Sequence, residues 1–285
     1  MTRRVALLGR PLRRRHSQVM HDAAFAAAGI DARYELLELD PDDVAAAVDE
    51  ARGPDWLGLG VTSPYKRMVA ALVDEVEPDA RAIGAVNNAV RTPDGRLIGF
   101  NSDAPGFRAG VEIAMGRALD GVEVVVIGAG GAAHAVVHAC LTAGVRRLTI
   151  ANRTIGAAAA LADRFADLAG GPIGVAGLGD ERLAGALRTA DLAVNATTVG
   201  MVDPGITIPV DRLPDHATVF DLVYVPPETP LLRAARGRGL RAANGGEMLV
   251  QQAAIAFERW TGVPGMAGVM RAAVAPLLAD AAGRA

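Results

Sequence analysis

The turn Gly128-Ala129-Gly130-Gly131-Ala132-Ala133 follows a near-continuous apolar run, Val122–Ile127, and fits the pattern G-x-G-x-x-G/A. A run of that kind suits a strand buried on both faces. A helix-like segment, Ala132–Ala143, follows and stops at Gly144; a second β-rich run, Arg147–Ala151, leads into Asn152-Arg153-Thr154. Strand, glycine turn, helix and strand make a βαβ unit. Gly128 permits the tight turn, Gly130 a close backbone approach to a pyrophosphate, and Ala133 close packing of helix on strand. The helix N-terminus offers unpaired N–H groups and a positive dipole to phosphates. The alternative is a tight βα turn that binds nothing. At the second strand's tip an acid would accept from a ribose 2′-hydroxyl, whereas an arginine suits a 2′-phosphate. The chain has Arg153 there and no acid nearby. The cofactor expected is therefore a dinucleotide, NADP(H) ahead of NAD(H).

Two further residues have the chemistry for proton transfer. Lys66 follows a strand tip and a proline, in Ser63-Pro64-Tyr65-Lys66, and is expected to project from a constrained turn. Asp103, in Gly99-Phe100-Asn101-Ser102-Asp103, is expected at the end of another strand. A lysine and an aspartate at strand tips can form an acid–base pair beside a hydride donor. The competing reading is a surface lysine and a helix-capping aspartate.

The elements that must position these residues alternate along the chain. Arg3–Leu8 reads as a strand, Ser17 as the N-cap of a helix over Gln18–Ala28, Ala32–Leu39 as a strand, and Pro41 as the first turn of a helix to about Arg52. Trp56–Thr62 is a strand, Arg67–Val76 a helix, and Ala85–Val90 with Arg96–Gly99 a hairpin about Asp94-Gly95. Beyond a linking helix, Ala104–Gly116, and the βαβ unit come an alanine-rich helix to about Leu168 and a helix near Glu181–Arg188. Strands Leu192–Asn195 and Thr218–Leu222 follow, separated by a loop at 201–214. Glu228–Arg238 reads as a helix, Leu240–Ala242 as a last strand, and Met248–Thr261 and Ala267–Ala279 as helices. Thr197 and Thr198 sit where ligands gather in open parallel sheets, and either touch the cofactor or cap turns.

The whole chain has 285 residues, half of them apolar, and a net charge of −3. It is long enough for two modest domains, and the charge offers no broad attraction for nucleic acid or an anionic membrane. Cys140, the single cysteine, excludes an internal disulfide; no zinc spacing exists, so no metal is expected. The apolar run Val5–Leu8 is too brief for a signal peptide or a membrane span. A soluble, cytoplasmic enzyme, monomeric or homodimeric, is expected.

Over nearly its whole length the chain resembles the shikimate dehydrogenase family. The matching stretches are Gly9-Arg10-Pro11-Leu12 with His21, Val61-Thr62-Ser63-Pro64-Tyr65-Lys66, Gly84-Ala85-Val86-Asn87-Asn88, Asn101-Ser102-Asp103 and Ile127–Ala133. They continue with Asn152-Arg153-Thr154, Asn195–Met201, Asp221–Pro226 with Thr229-Pro230, and Met248–Ala253, in order and at the family's spacing. The resemblance implies an α/β fold in which an N-terminal α/β substrate domain, 1–104 with 244–285, accompanies a doubly wound parallel-sheet (Rossmann) dinucleotide-binding domain, 105–243. It implies that Lys66 and Asp103 are the catalytic pair, and that Arg15, Ser17, Thr62, Asn87, Tyr224 and Gln252 line the pocket of a polyhydroxylated cyclohexene acid. It assigns Gly128, Ala129, Gly130, Gly131, Ala132, Asn152, Arg153, Thr154, Thr197, Leu222 and Gly245 to the cofactor. The activity implied is reversible NADP(H)-dependent reduction of 3-dehydroshikimate, in aromatic amino acid and chorismate biosynthesis. Quinate or another cyclitol carboxylate is the alternative substrate. A dinucleotide-binding regulator without turnover is the alternative from another class, and the retained Lys66 and Asp103 argue against it.

Three departures from the family pattern stand out. Arg15 replaces the first serine of Ser-x-Ser-Pro, with Ser17 retained; Gly60 stands where asparagine usually precedes Val-Thr; and Ala157 replaces a basic residue usual three positions after Thr154. Arg15 either grips the substrate carboxylate through its guanidinium or belongs to a solvated loop, Arg13-Arg14-Arg15. Ala157 leaves the 2′-phosphate half a clamp.

Overall fold

The apolar segment Trp56–Val61 is buried at every position and lies inside its sheet, as a run without charges requires. The structure, a computed structural model, describes residues 2–201 and 203–280; Val202, in the loop expected at 201–214, and the end of the expected 244–285 segment, 281–285, lie outside the described residues. The chain divides into two compact units, Met1–Ser102 with Val250–Leu277, and Asp103–Leu249 with the residues from Leu278 onward.

In the first unit the chain order is β1 (Arg3–Gly9), α1 (His16–Ala27), β2 (Ala32–Glu38), α2 (Val44–Glu50), β3 (Trp56–Val61), α3 (Lys66–Ala70), β4 (Glu75–Val76), α4 (Pro78–Ile83), β5 (Asn88–Arg91) and β6 (Leu97–Phe100). The sheet order is β2-β1-β3-β5-β6-β4. β1 runs parallel to β2 and β3, β5 pairs antiparallel with β3 and β6, and the short β4 runs parallel to β6. Gly95, at φ +87°, turns the expected hairpin between β5 and β6. One side of the sheet buries Ala6, Leu8, Leu59 and Val61 among residues of α2 and α3. An aromatic cluster forms elsewhere in the unit: His21 of α1 stacks on Tyr34 at 4.5 Å and meets Trp260 at 5.1 Å. Burial pushes the His21 imidazole down to about 3, which keeps it neutral in that apolar setting.

The second unit holds α5 (Asp103–Met115), β7 (Glu123–Ile127), α6 (Gly131–Thr142), β8 (Arg147–Asn152), α7 (Ile155–Arg164), β9 (Gly174–Gly177), α8 (Glu181–Leu187), β10 (Leu192–Asn195), β11 (Thr218–Asp221), α9 (Pro230–Gly237) and β12 (Arg241–Asn244). Its six strands are all parallel, in the order β12-β11-β10-β7-β8-β9. Renumbered within the unit and read from the other edge, this is the doubly wound order 3-2-1-4-5-6, with its switch point between β7 and β10. Every residue of β7, β10 and β11 is buried, and the strands are apolar apart from Glu123, Asn195, Thr218 and Asp221 at their ends. Helix α10 (Gly246–Thr261) begins in this unit and continues in the first, and α11 (Ala267–Asp280) follows it. No helix among the described residues is long and apolar enough to cross a membrane.

Several local expectations are corrected. The helix expected over Arg67–Val76 ends at Ala70, because the Asp74 carboxylate accepts from the Leu97 N–H at 2.7 Å and draws the chain to the edge of β6. Pro78 then starts α4, as its fixed φ favours. Ser17 is not the N-cap of α1: the Arg15 carbonyl accepts from the Val19 N–H, so Ser17 already lies inside the helix. The strand β9 carries two glycines in four residues and shows no apolar pattern in the sequence.

Candidate active site

The first unit contains a buried polar cluster whose members come from three separate segments. Asn87 and Asn88, 5% and 4% exposed, lie at the start of β5; Ser102, fully buried, follows β6; Gln252 lies on α10. The Ser102 N–H donates to Asn87 Oδ1 at 2.8 Å, and Asn88 Nδ2 donates to the same oxygen at 2.9 Å. Asn87 Nδ2 and Asn88 Nδ2 donate to Ser102 Oγ at 3.1 and 2.8 Å, and Ser102 Oγ donates to Gln252 Oε1 at 3.3 Å. Two residues of α10, Gln252 and Arg259, reach partners in this unit. Besides Gln252 on Ser102, Arg259 pairs with Glu77 and lies over the Phe100 ring at 4.7 Å.

Lys66 is half-buried and forms the first residue of α3, not part of the preceding turn; its carbonyl accepts from the Val86 N–H at 3.1 Å. Thr62 is fastened beside β1 by its N–H to the Leu8 carbonyl at 2.8 Å. A Cβ on Gly9 would lie 2.4 Å from the Thr62 methyl, so the start of the Gly9-Arg10-Pro11-Leu12 turn can hold only glycine there. Asp103 does not end a strand. It opens α5, three residues beyond Phe100 at the end of β6, and belongs to the second unit together with Tyr224.

The two departures nearest this cluster have a shared structural basis. A Cβ on Gly60 would stand 2.7 Å from the Tyr34 hydroxyl and 3.7 Å from Asn88 Oδ1. Tyr34 thus fills the space that an asparagine at position 60 would need. The Tyr34 carbonyl accepts from Gln18 Nε2 at 2.9 Å, and Gln18 Oε1 accepts from Arg15 Nε at 2.8 Å. The exposed Arg15 is therefore held at one edge of its guanidinium, and its terminal nitrogens have no partner among the described residues. Ser17, half-buried in the first turn of α1, has no side-chain hydrogen bond among the described residues. Sequence reasoning gave no role to Tyr34, which stands in no recognisable motif, or to Gln18, which falls at the proline position of Ser-x-Ser-Pro. Asn88 and Ser102 stood in the quoted motifs without a role.

In the second unit the sequence-derived cofactor residues gather at the carboxyl ends of the parallel strands. Gly128, at φ +117°, ends β7, and a Cβ there would meet the Ala196 carbonyl oxygen at 2.9 Å and the Thr197 methyl at 3.0 Å. The glycine is thus demanded both by its conformation and by the crossing of the β10 loop at the switch point. Gly130 is the N-cap of α6 and Gly131 its first residue, one earlier than expected; Cβ atoms on either would meet nothing within 4 Å. That open space above a helix N-terminus fits a pyrophosphate approaching the backbone. At the tip of β8, Asn152 Nδ2 donates to the Thr154 carbonyl at 3.0 Å, while the exposed Arg153 guanidinium has no partner among the described residues. A Cβ on Gly245 would lie 2.3 Å from the Leu222 carbonyl oxygen, so these two residues meet backbone to backbone.

Asp221, at the end of β11, ties three of these loops together. Its fully buried carboxylate accepts from Asn195 Nδ2 at 2.8 Å, the Val223 N–H at 3.0 Å and Thr229 Oγ1 at 2.6 Å. Asn195 Oδ1 in turn accepts from the Thr197 N–H and hydroxyl, so Thr197 is engaged in the turn itself. Burial raises the Asp221 carboxyl, opposed by those three donors. In Asp221→Asn an amide NH₂ must face a donor, leaving a buried group unsatisfied. We expect a loss of about 1–3 kcal/mol, read as a lowered Tm, with a raised KM for NADP+.

Parallel topology, a glycine turn at its switch point and an arginine at the neighbouring tip define a dinucleotide-dependent α/β oxidoreductase. Family descriptions match in three places: the shikimate dehydrogenase substrate binding domain over residues 7–89, shikimate/quinate 5-dehydrogenase over 112–200, and the shikimate 5′-dehydrogenase C-terminal domain over 245–275. Shikimate dehydrogenase (NADP(+)) of Symbiobacterium thermophilum is 44% identical, covering 94% of this chain and 92% of its own. A crystal structure of the Thermus thermophilus enzyme with NADP(H) and shikimate shares 36% identity and a TM-score of 0.85, covering 96% and 99% of the two chains. Quinate dehydrogenase of Corynebacterium glutamicum, in complex with NAD, gives 34% and 0.88 over 96% and 99%. The chain belongs to the shikimate dehydrogenase family.

Proposed function

We propose that this chain catalyses the reversible NADP(H)-dependent reduction of 3-dehydroshikimate to shikimate, a step in chorismate and aromatic amino acid biosynthesis. The first unit serves as the substrate domain and the second as the cofactor domain. The observation that carries the reading is the glycine turn at the β7/β10 switch point, open above Gly130 and Gly131 and flanked by the exposed Arg153.

NADP(H) supplies or accepts the hydride at the substrate's ring carbon. Lys66 as an ammonium donates its proton to the carbonyl oxygen as the alcohol forms, and takes it back in oxidation. The Asp103 carboxylate favours the charged lysine and orients it. Thr62, Asn87, Tyr224 and Gln252 bind ring hydroxyls through directional hydrogen bonds, which rejects analogues lacking them. Ser17 and the paired terminal nitrogens of Arg15 hold the carboxylate, the guanidinium in a bidentate grip. On the cofactor side Gly128–Ala132 cradle the pyrophosphate, Asn152, Arg153 and Thr154 hold the adenosine end, and Thr197, Leu222 and Gly245 frame the remainder.

Because Arg15 and the Tyr34-filled Gly60 depart from the family pattern, quinate is the second reading. Steady-state rates on shikimate and quinate with both cofactors separate the two, and the same screen on Arg15→Ser tests the selector. We expect the highest kcat/KM on shikimate with NADP+, and a KM for the carboxylate raised about 10–100-fold in the variant, as loss of a charge-assisted contact of roughly 1.5–3 kcal/mol predicts. An unchanged KM returns Arg15 to the solvated loop. Turnover of neither acid defeats the substrate assignment.

A further inference from the structure

Ser102 is fully buried, carries no charge and sits one residue before the proposed catalytic aspartate, yet four hydrogen bonds converge on it. Their directions can be assigned from a single fixed point. A backbone N–H can only donate, so the Ser102 N–H at 2.8 Å identifies the atom facing it as the oxygen of Asn87. The Asn87 amide is thereby set, and its nitrogen faces Ser102 Oγ at 3.1 Å. Asn88 Nδ2 spends its two hydrogens on Asn87 Oδ1 and Ser102 Oγ, at 2.9 and 2.8 Å. A hydroxyl oxygen has two lone pairs and one proton. Both lone pairs of Ser102 are taken by the two asparagine nitrogens, so its proton must go to an acceptor, and the atom at 3.3 Å is Gln252 Oε1.

The consequence reaches the two amides assigned to the substrate. With Oε1 accepting from Ser102, the orientation of the Gln252 amide is set and Nε2 is its donor. With Oδ1 committed to Ser102 and Asn88, Asn87 likewise has only its second Nδ2 hydrogen left to offer. We propose that Ser102 is a positioning residue: its N–H fixes the polarity of Asn87 and its hydroxyl that of Gln252, so that both present N–H donors and the ligand groups they meet are oxygen acceptors. Without the hydroxyl the Gln252 amide can turn over, and a network with one member missing leaves buried donors unpaired.

This inference rests on the assignment of Asn87 and Gln252 to the substrate, and its test separates the two claims. Ser102→Ala is expected to raise the KM for shikimate about 10–100-fold, with kcat changed less than about threefold and the KM for NADP+ within about twofold. Ser102→Thr, which keeps the hydroxyl, is expected to recover most of that loss. In a cycle with Gln252→Ala, the double variant is expected to lose little beyond Gln252→Ala alone, because the serine acts through the glutamine. A KM unchanged in Ser102→Ala, or effects that multiply in full, overturns the proposal. The independent measurement is the side-chain NH₂ resonance of Gln252 in a ¹⁵N spectrum, identified by its absence in Gln252→Ala. Its displacement in Ser102→Ala supports the assigned polarity, and an unmoved resonance overturns it. That measurement needs no substrate, so a wild type inactive on shikimate would refute the proposed function and leave this point decidable.

Discussion

Lys66→Ala is expected to lower kcat for shikimate oxidation by roughly 10²–10⁴-fold, the range typical for loss of a positioned acid–base group. The size of the effect depends on Lys66 acting on the reacting oxygen and not on holding the fold. The structure gives grounds for separating these. The Lys66 carbonyl accepts from the Val86 N–H, a bond that alanine preserves. Alanine is also the best helix former, so the first position of α3 tolerates it. The Tm should therefore stay close to wild type, and the KM for NADP+ should not move, since the residues assigned to the cofactor all belong to the other unit. Asp103→Asn keeps a polar residue at the start of α5 but loses the charge that favours the ammonium, so its kcat should fall as well. Full activity in Lys66→Ala would remove lysine from the mechanism.

Arg153→Ala is expected to weaken NADP+ binding by about 10–100-fold while leaving the affinity for NAD+ unchanged. The estimate follows from a hydrogen bond to a charged group, roughly 1.5–3 kcal/mol, at 1.4 kcal/mol per tenfold. The guanidinium is exposed and has no partner among the described residues, so the change should fall on the cofactor with little effect on folding. Position 157 bears on the starting preference. With Ala157 where a second basic residue is usual, one cation faces the 2′-phosphate, and the wild-type preference for NADP+ should be smaller than a two-residue clamp would give. Restoring the second cation in Ala157→Arg should widen it. Isothermal titration with both cofactors reads all three proteins. Tighter binding of NAD+ than NADP+ by the wild type, or an unaltered ratio in Arg153→Ala, would sink the assignment.

What could be read from the sequence was what rests on short-range pattern. The βαβ unit showed itself because a both-faces-buried strand, a glycine turn and a helix leave an unmistakable order of residue types. The hairpin at Asp94-Gly95 showed itself because few residues adopt its turn. The short elements did not: β9 has four residues with two glycines, and the end of α3 is decided by Asp74 reaching a strand more than twenty positions away. The same divide runs through the site. Lys66, Asn87 and Gln252 stood in motifs, whereas Tyr34 entered only as an aromatic residue within a strand. Its place above Gly60 follows from two strands separated by β1, a relation no local window contains.

That placement constrains how this pocket can change. An asparagine introduced at position 60 would be forced onto the Tyr34 hydroxyl, whose ring is held against His21 and whose backbone anchors Gln18 and, through it, Arg15. Positions 15, 34 and 60 are consequently epistatic. A route from this pocket to one with asparagine at position 60 must alter position 34 first, and the opposite route must clear position 60 first, since either reverse order places two groups in one space. For redesign, the three sites are a single locus, and substitutions scored one at a time will underestimate what the set can do.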